Sequence, residues 1–113
     1  MSAIDAGGAQ FLYLTTTGRK TGQPRQIEIW FVAAGGRLYI FAEHGLRAQW
    51  VRNIRRDPHV RVRVGSRQAE EVTATARPLD RAVDAAQWDH VQGLAREKYG
   101  WGDGLPVELT PDA

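Results

Sequence analysis

No cysteine occurs in the 113 residues, which excludes disulfide staples, thiolate nucleophiles and cysteine-based zinc sites and suits a reducing compartment. Serine is almost as scarce, and neither Ser2 nor Ser66 stands in the glycine-flanked elbow of a hydrolase nucleophile. His44, His59 and His90 lack the spacing of metal ligands, so no metal site is expected. Long apolar runs are also missing: nothing approaches the ~20 residues that span a bilayer, and Met1 to Gly8 is not a basic region followed by an apolar stretch. These absences point away from hydrolases, metalloenzymes and membrane spans, and towards a cytoplasmic protein.

What is present is arginine. Fifteen Lys and Arg face thirteen Asp and Glu, a net charge of +2 that is too mild to demand nucleic acid. The arginines cluster, however, at Arg19 to Arg25 and at Arg47 to Arg67. A guanidinium donates two parallel hydrogen bonds to a phosphate or carboxylate, so an anionic small-molecule ligand is expected.

The chain reads as one domain over residues 1–113, with 1–9 flexible and 100–113 an irregular tail. Gln10 to Thr16 is β-branched and aromatic, a first strand that ends in a glycine-containing loop. Arg25 to Ala33 alternates, with Ile27, Ile29 and Phe31 on one face and Gln26, Glu28 and Trp30 on the other. Gly35-Gly36 supplies a tight hairpin, and Arg37 to Ala42 returns. Ala48 to Arg56 is a short amphipathic helix with Trp50, Val51 and Ile54 inward and Arg52, Asn53, Arg55 and Arg56 outward, stopped before Pro58. His59 to Val64 and Glu71 to Arg77 alternate as two more strands. Asp80 is the expected N-cap of a long helix to Tyr99 that buries Val83, Ala86, Val91, Leu94 and Ala95. Five strands in consecutive hairpins, with a small helix inserted before the fourth, predict an antiparallel sheet closing into a barrel, mainly β in class, because closure removes exposed edges.

The segment Thr17-Gly18-Arg19-Lys20-Thr21-Gly22 is not a Walker loop: the glycine spacing is wrong, and a strand rather than a helix follows. Its glycines could let backbone N–H groups approach an anion, with hydroxyls at Thr15, Thr16, Thr17 and Thr21 and cations at Arg19, Lys20 and Arg25. The same composition also serves an ordinary solvated turn, and residue chemistry alone leaves both readings standing.

The stretch Leu12 to Arg25, LYLTTTGRKTGQPR, resembles the signature of the deazaflavin-dependent nitroreductase and quinone reductase family. The resemblance continues through Gly35-Gly36-Arg37 and Trp50 to Val60, and covers roughly Phe11 to Arg77. It implies a split β-barrel related to FMN-binding proteins, with coenzyme F420 as cofactor and FMN as the alternative. By matching positions it implies that Thr16, Arg19, Lys20, Thr21, Gly22, Gln23, Pro24 and Arg25 hold the phosphate and oligoglutamate tail. Ala42, Glu43, His44, Gly45 and Trp50 would line the deazaflavin ring, and Tyr99 becomes the candidate catalytic residue, as proton donor or substrate-positioning group.

The implied reaction is hydride transfer from the reduced deazaflavin to a quinone, nitro compound or activated alkene, with the protein supplying orientation and exclusion of water. Set against what the resemblance implies for nitro-reducing members, the stretch between Ala42 and Trp50 looks short and His44 stands where a lysine would be expected, so the acceptor does not carry over. A non-catalytic barrel binding a lipid, haem or flavin is the reading from another class. Trp30 and Trp101 are candidates for a homodimer interface; neither nucleic acid nor membrane is an expected partner.

Overall fold

The computed structural model describes residues 9–112, so most of the amino-terminal segment expected to be flexible, residues 1–8, lies outside the described residues. Strands β1 (Phe11–Thr17), β2 (Pro24–Ala34) and β3 (Arg37–Ala42) come first. A 3-10 turn (Gly45–Arg47) and helix α1 (Gln49–Arg56) lead into β4 (His59–Val64) and β5 (Val72–Pro78). Helix α2 (Ala85–Tyr99) and β6 (Leu105–Pro111) complete the chain. The strands close into an antiparallel barrel in the order β1-β2-β3-β6-β5-β4.

Alternation explains the interior. Leu12 and Leu14 of β1, Leu38 and Ile40 of β3, Val60 and Val62 of β4, and Ala74 and Ala76 of β5 all point inward and are buried. Each fully buried leucine contributes about 2 kcal/mol relative to exposure. Val51 and Ile54 of α1 join the same cluster, so this helix plugs the barrel. A second cluster lies outside, where Val32, Tyr39 and Phe41 pack beneath Val91 and Ala95 of α2. Strand β3 is therefore buried on both faces after Arg37, one side feeding the barrel and the other the helix.

Strand β2 changes partner along its length. Pro24 to Trp30 pairs with β1, whereas Phe31 to Ala34 pairs with β3. The barrel is consequently split beside the first half of β2, and this opening positions the site.

Three expectations are corrected. The tail is not irregular: β6 runs through it and pairs with both β3 and β5, making six strands rather than five. Pro106 and Pro111 disguise the strand, yet Val107 and Leu109 alternate into the barrel core, while Glu108 faces outward to accept hydrogen bonds from Tyr39 Oη at 3.1 Å and Gln87 Nε2 at 2.6 Å. The tail reaches this position by passing against α2 at Gly102, where any Cβ would stand 2.5 Å from the Gln92 carbonyl oxygen.

Helix α2 begins at Ala85, not Asp80. Asp80 instead organises a turn, its carboxylate accepting from the Ala82 N–H at 2.9 Å and its carbonyl from the Asp84 N–H at 2.6 Å. Val83 and Ala86 are exposed as a result, and the buried face is Val91, Gln92 and Ala95. Asn53, placed by periodicity on the outer face of α1, is buried. Among the described residues no helix is long and apolar enough to cross a membrane.

Candidate active site

Two cavities meet along the split. The larger, of about 610 Å³, has aromatic walls: Phe11 from β1, Trp30 from β2, Phe41 from β3, Trp50 from α1, Tyr99 from α2, and Trp101 beyond it. The smaller, of about 440 Å³, is basic and polar, with Arg19, Lys20, Thr21 and Arg25 from the β1–β2 loop facing Gln49, Trp50 and Asn53 of α1. Ile27 and Trp50 line both, so the two form one groove that is aromatic at one end and cationic at the other.

The loop is fixed by its own backbone. The Gly18 N–H donates to the Gln23 carbonyl and the Gly22 N–H to the Gly18 carbonyl, both at 2.8 Å, while the Gln23 N–H donates to Thr21 Oγ1 at 3.2 Å. Gly22 sits at φ +74°, where an L side chain is strained. The glycines thus serve the turn, and their amides are not free to cradle an anion as the sequence suggested. Recognition of an anion falls to the side chains. None of Arg19, Lys20 and Arg25 pairs with a carboxylate among the described residues, so their charges face the groove uncompensated.

At the aromatic end, Trp30 and Tyr99 stack with ring centroids 4.6 Å apart and planes 10° apart. The Tyr99 hydroxyl shares its one proton between the backbone carbonyls of Gln10 and Phe31 and accepts from the Phe31 N–H at 3.2 Å. Lys98 Nζ donates to the Phe31 carbonyl at 3.1 Å and lies 4.4 Å from the centre of the Phe31 ring, stiffening this wall. Glu28 reaches the cavity while accepting from the Tyr13 hydroxyl at 2.6 Å, a bond that holds the Tyr13 phenol above its ordinary value of 10.

The sequence-derived candidates divide accordingly. Thr16, Arg19, Lys20, Thr21 and Arg25 gather at the basic end, Glu43, His44 and Tyr99 at the aromatic end, and Trp50 at the junction. Gly22 lies at the back of the loop with Arg56 and Asp57. Gln23 and Pro24 are exposed outside both cavities, Ala42 is buried at the end of β3, and Gly45 begins the 3-10 turn. Sequence reasoning missed Gln49 and Asn53, which follow from the helical spacing only once α1 is known to lie along the loop. It also missed Trp30 and Trp101 as cavity walls; an aromatic on the outer face of a strand was the available signal.

The site is thus the opening of a small split barrel, where an aromatic cavity joins a basic groove. The sequence profile of the F420H(2)-dependent quinone reductase family matches residues 4–107, and the chain belongs to that family. It is therefore an oxidoreductase whose cofactor is coenzyme F420. Solved structures share the fold. An F420-H2 dependent reductase (FDR-A) is 24% identical at TM-score 0.69, over 91% of this chain and 94% of that one. The haem storage protein HutZ from Vibrio cholerae is 20% identical at TM-score 0.74, over 93% and 83%. A FAD-binding protein from Mesorhizobium loti is 18% identical at TM-score 0.70, over 100% and 91%. The groove fits F420 in kind, since a molecule with a flat conjugated ring and an anionic tail needs an aromatic slot continuous with unpaired cations.

Proposed function

We propose that this reductase passes reducing equivalents from F420 to a planar, electron-poor acceptor of the quinone type, bound in the aromatic cavity. The observation that carries the reading is the junction at Trp50 and Ile27, which joins an aromatic-walled cavity to a cationic groove. Reduced F420, when bound, supplies the hydride.

The protein's part is to bind, orient and dry the site. Arg19, Lys20 and Arg25 hold the phosphate and glutamate carboxylates, with the Thr21 hydroxyl beside them. Trp50 packs against the ring, and Glu43 and His44 stand at its edge. Phe41, Trp101 and the Trp30–Tyr99 stack exclude water and offer flat faces to a conjugated acceptor. The proton that completes the reduction enters from water at the exposed rim beside His44. A cytoplasmic site, which the lack of cysteine suits, and pairing of two copies over Trp30, 40% exposed at the rim, complete the proposal.

The test is titration with oxidised F420 and separately with FMN, followed by tryptophan fluorescence, in wild type and Arg19→Ala/Lys20→Ala. Oxidation of reduced F420 by a quinone, a nitroaromatic and an activated alkene is then measured. The expected result is micromolar F420 binding, weakened about a hundredfold in the variant as two charge-assisted contacts are lost, with the quinone turned over fastest. Equal affinity in both proteins, or no turnover of the quinone, sinks the reading.

A further inference from the structure

Helix α1 presents one buried polar side chain, Asn53, which is 5% exposed. Asparagine is a weak helix former, and a buried amide without partners costs more than the residue could return, so its presence demands tertiary bonds. Its Oδ1 accepts from the Arg19 backbone N–H at 3.2 Å and from Arg19 Nη1 at 3.0 Å. Its Nδ2 donates to Thr16 Oγ1 at 3.2 Å, and Thr16 is itself buried. The orientation of the amide is fixed by its neighbours, since Arg19 can only donate and must therefore meet the oxygen.

We infer that Asn53 is a positioning residue for the anionic end of the cofactor, acting through Arg19. One neutral acceptor holds both the backbone and the guanidinium of Arg19 against the wall of the groove. The rest of the guanidinium fork stays available to a phosphate or carboxylate, and because the acceptor is neutral the full positive charge stays available too. A carboxylate in the same place would hold Arg19 equally well but cancel its charge, whereas a methyl group would release it. The Thr16 anchor ties the arrangement to the end of β1, so loop, strand and helix are locked at one point. This inference rests on the reading that the loop binds the tail of F420.

The experiment compares wild type with Asn53→Ala, Asn53→Asp, Arg19→Ala and Arg19→Ala/Asn53→Ala. Each is titrated with F420 and with the same deazaflavin lacking phosphate and glutamates, and each is melted to monitor folding. Asn53→Asp keeps the shape of the side chain and guards against a variant that merely fails to fold. The expected result is that Asn53→Ala weakens F420 about tenfold, Asn53→Asp at least as much, and neither changes affinity for the truncated deazaflavin. The double variant binds F420 no more weakly than Arg19→Ala alone, because the two residues act as one unit. Equal losses for both ligands, or additive losses in the double variant, overturn the inference. Weakening by Arg19→Ala with none from Asn53→Ala or Asn53→Asp overturns this inference alone. No effect of Arg19→Ala overturns the loop reading and this inference with it.

Discussion

The hydroxyl of Tyr99 is held by the backbone of Gln10 and Phe31 while its ring lies on Trp30. A phenol engaged in that way shapes a wall, and its proton is already committed to carbonyl oxygens. Tyr99→Phe is therefore expected to keep the turnover number within about threefold while costing ~1 kcal/mol of stability, the worth of the lost hydrogen bonds. Steady-state kinetics beside a thermal melt separates the two; a hundredfold fall in turnover with an unchanged melt would make Tyr99 the proton donor. Single residues were legible in the sequence where they carried charge in a loop, as at Arg19 and Arg25. Asn53 was not, because helical periodicity gave it to the arginine face, and only the neighbouring loop explains why an amide is buried there.

Among elements, the turn that precedes α2 is tied to β5 by one carboxylate. Asp84 accepts from the Asp80 backbone N–H at 2.8 Å and from Arg77 Nη1 at 2.9 Å. These bonds, the Asp80 amide first and Arg77 second, hold its carboxyl below the ordinary value of 3.8. A lowered folded value means that the stabilisation is complete above the unfolded value and is lost as pH falls through the folded one. Asp84→Asn should therefore be less stable than wild type at about pH 7, with the difference narrowing as pH falls below the ordinary value of 3.8, as read from denaturant midpoints at each pH. A gap that persists in acid would show that the charge of Asp84 is not what matters. Hairpins and alternating strands were legible here because period-two patterns are local, as in β4. Strand β6 was hidden because its prolines imitate a loop, and only its partners β3 and β5 give it a place.

Over the whole molecule, charge is sorted rather than balanced. Arg37, Arg77, Asp84 and Glu108 pair beneath α2, and Arg61 and Arg63 pair with Glu71 across β4 and β5. Of the nine cations with no carboxylate partner among the described residues, seven (Arg19, Lys20, Arg25, Arg47, Arg52, Arg55 and Arg56) belong to the loop or to α1 and its approach, and two (Arg67 and Lys98) lie elsewhere. A net charge of +2 conceals this field. Raising salt from about 0.05 to 0.5 M should weaken F420 binding several-fold and leave the tail-less deazaflavin nearly unaffected, since screening acts on exposed charges. Parallel loss for both ligands in a fluorescence titration would refute a charge-sorted groove.

Strand β6 fills the gap between β3 and β5, with Leu38 opposite Leu109 across most of the chain. During synthesis, a chain made as far as α2 holds most of the cavity walls, all but Trp101, and no closed barrel. The edges of β3 and β5 stand bare until β6 emerges, and bare edges pair with whatever chain is near. The growing polypeptide is most exposed to misassembly in the interval between the emergence of α2 and that of β6.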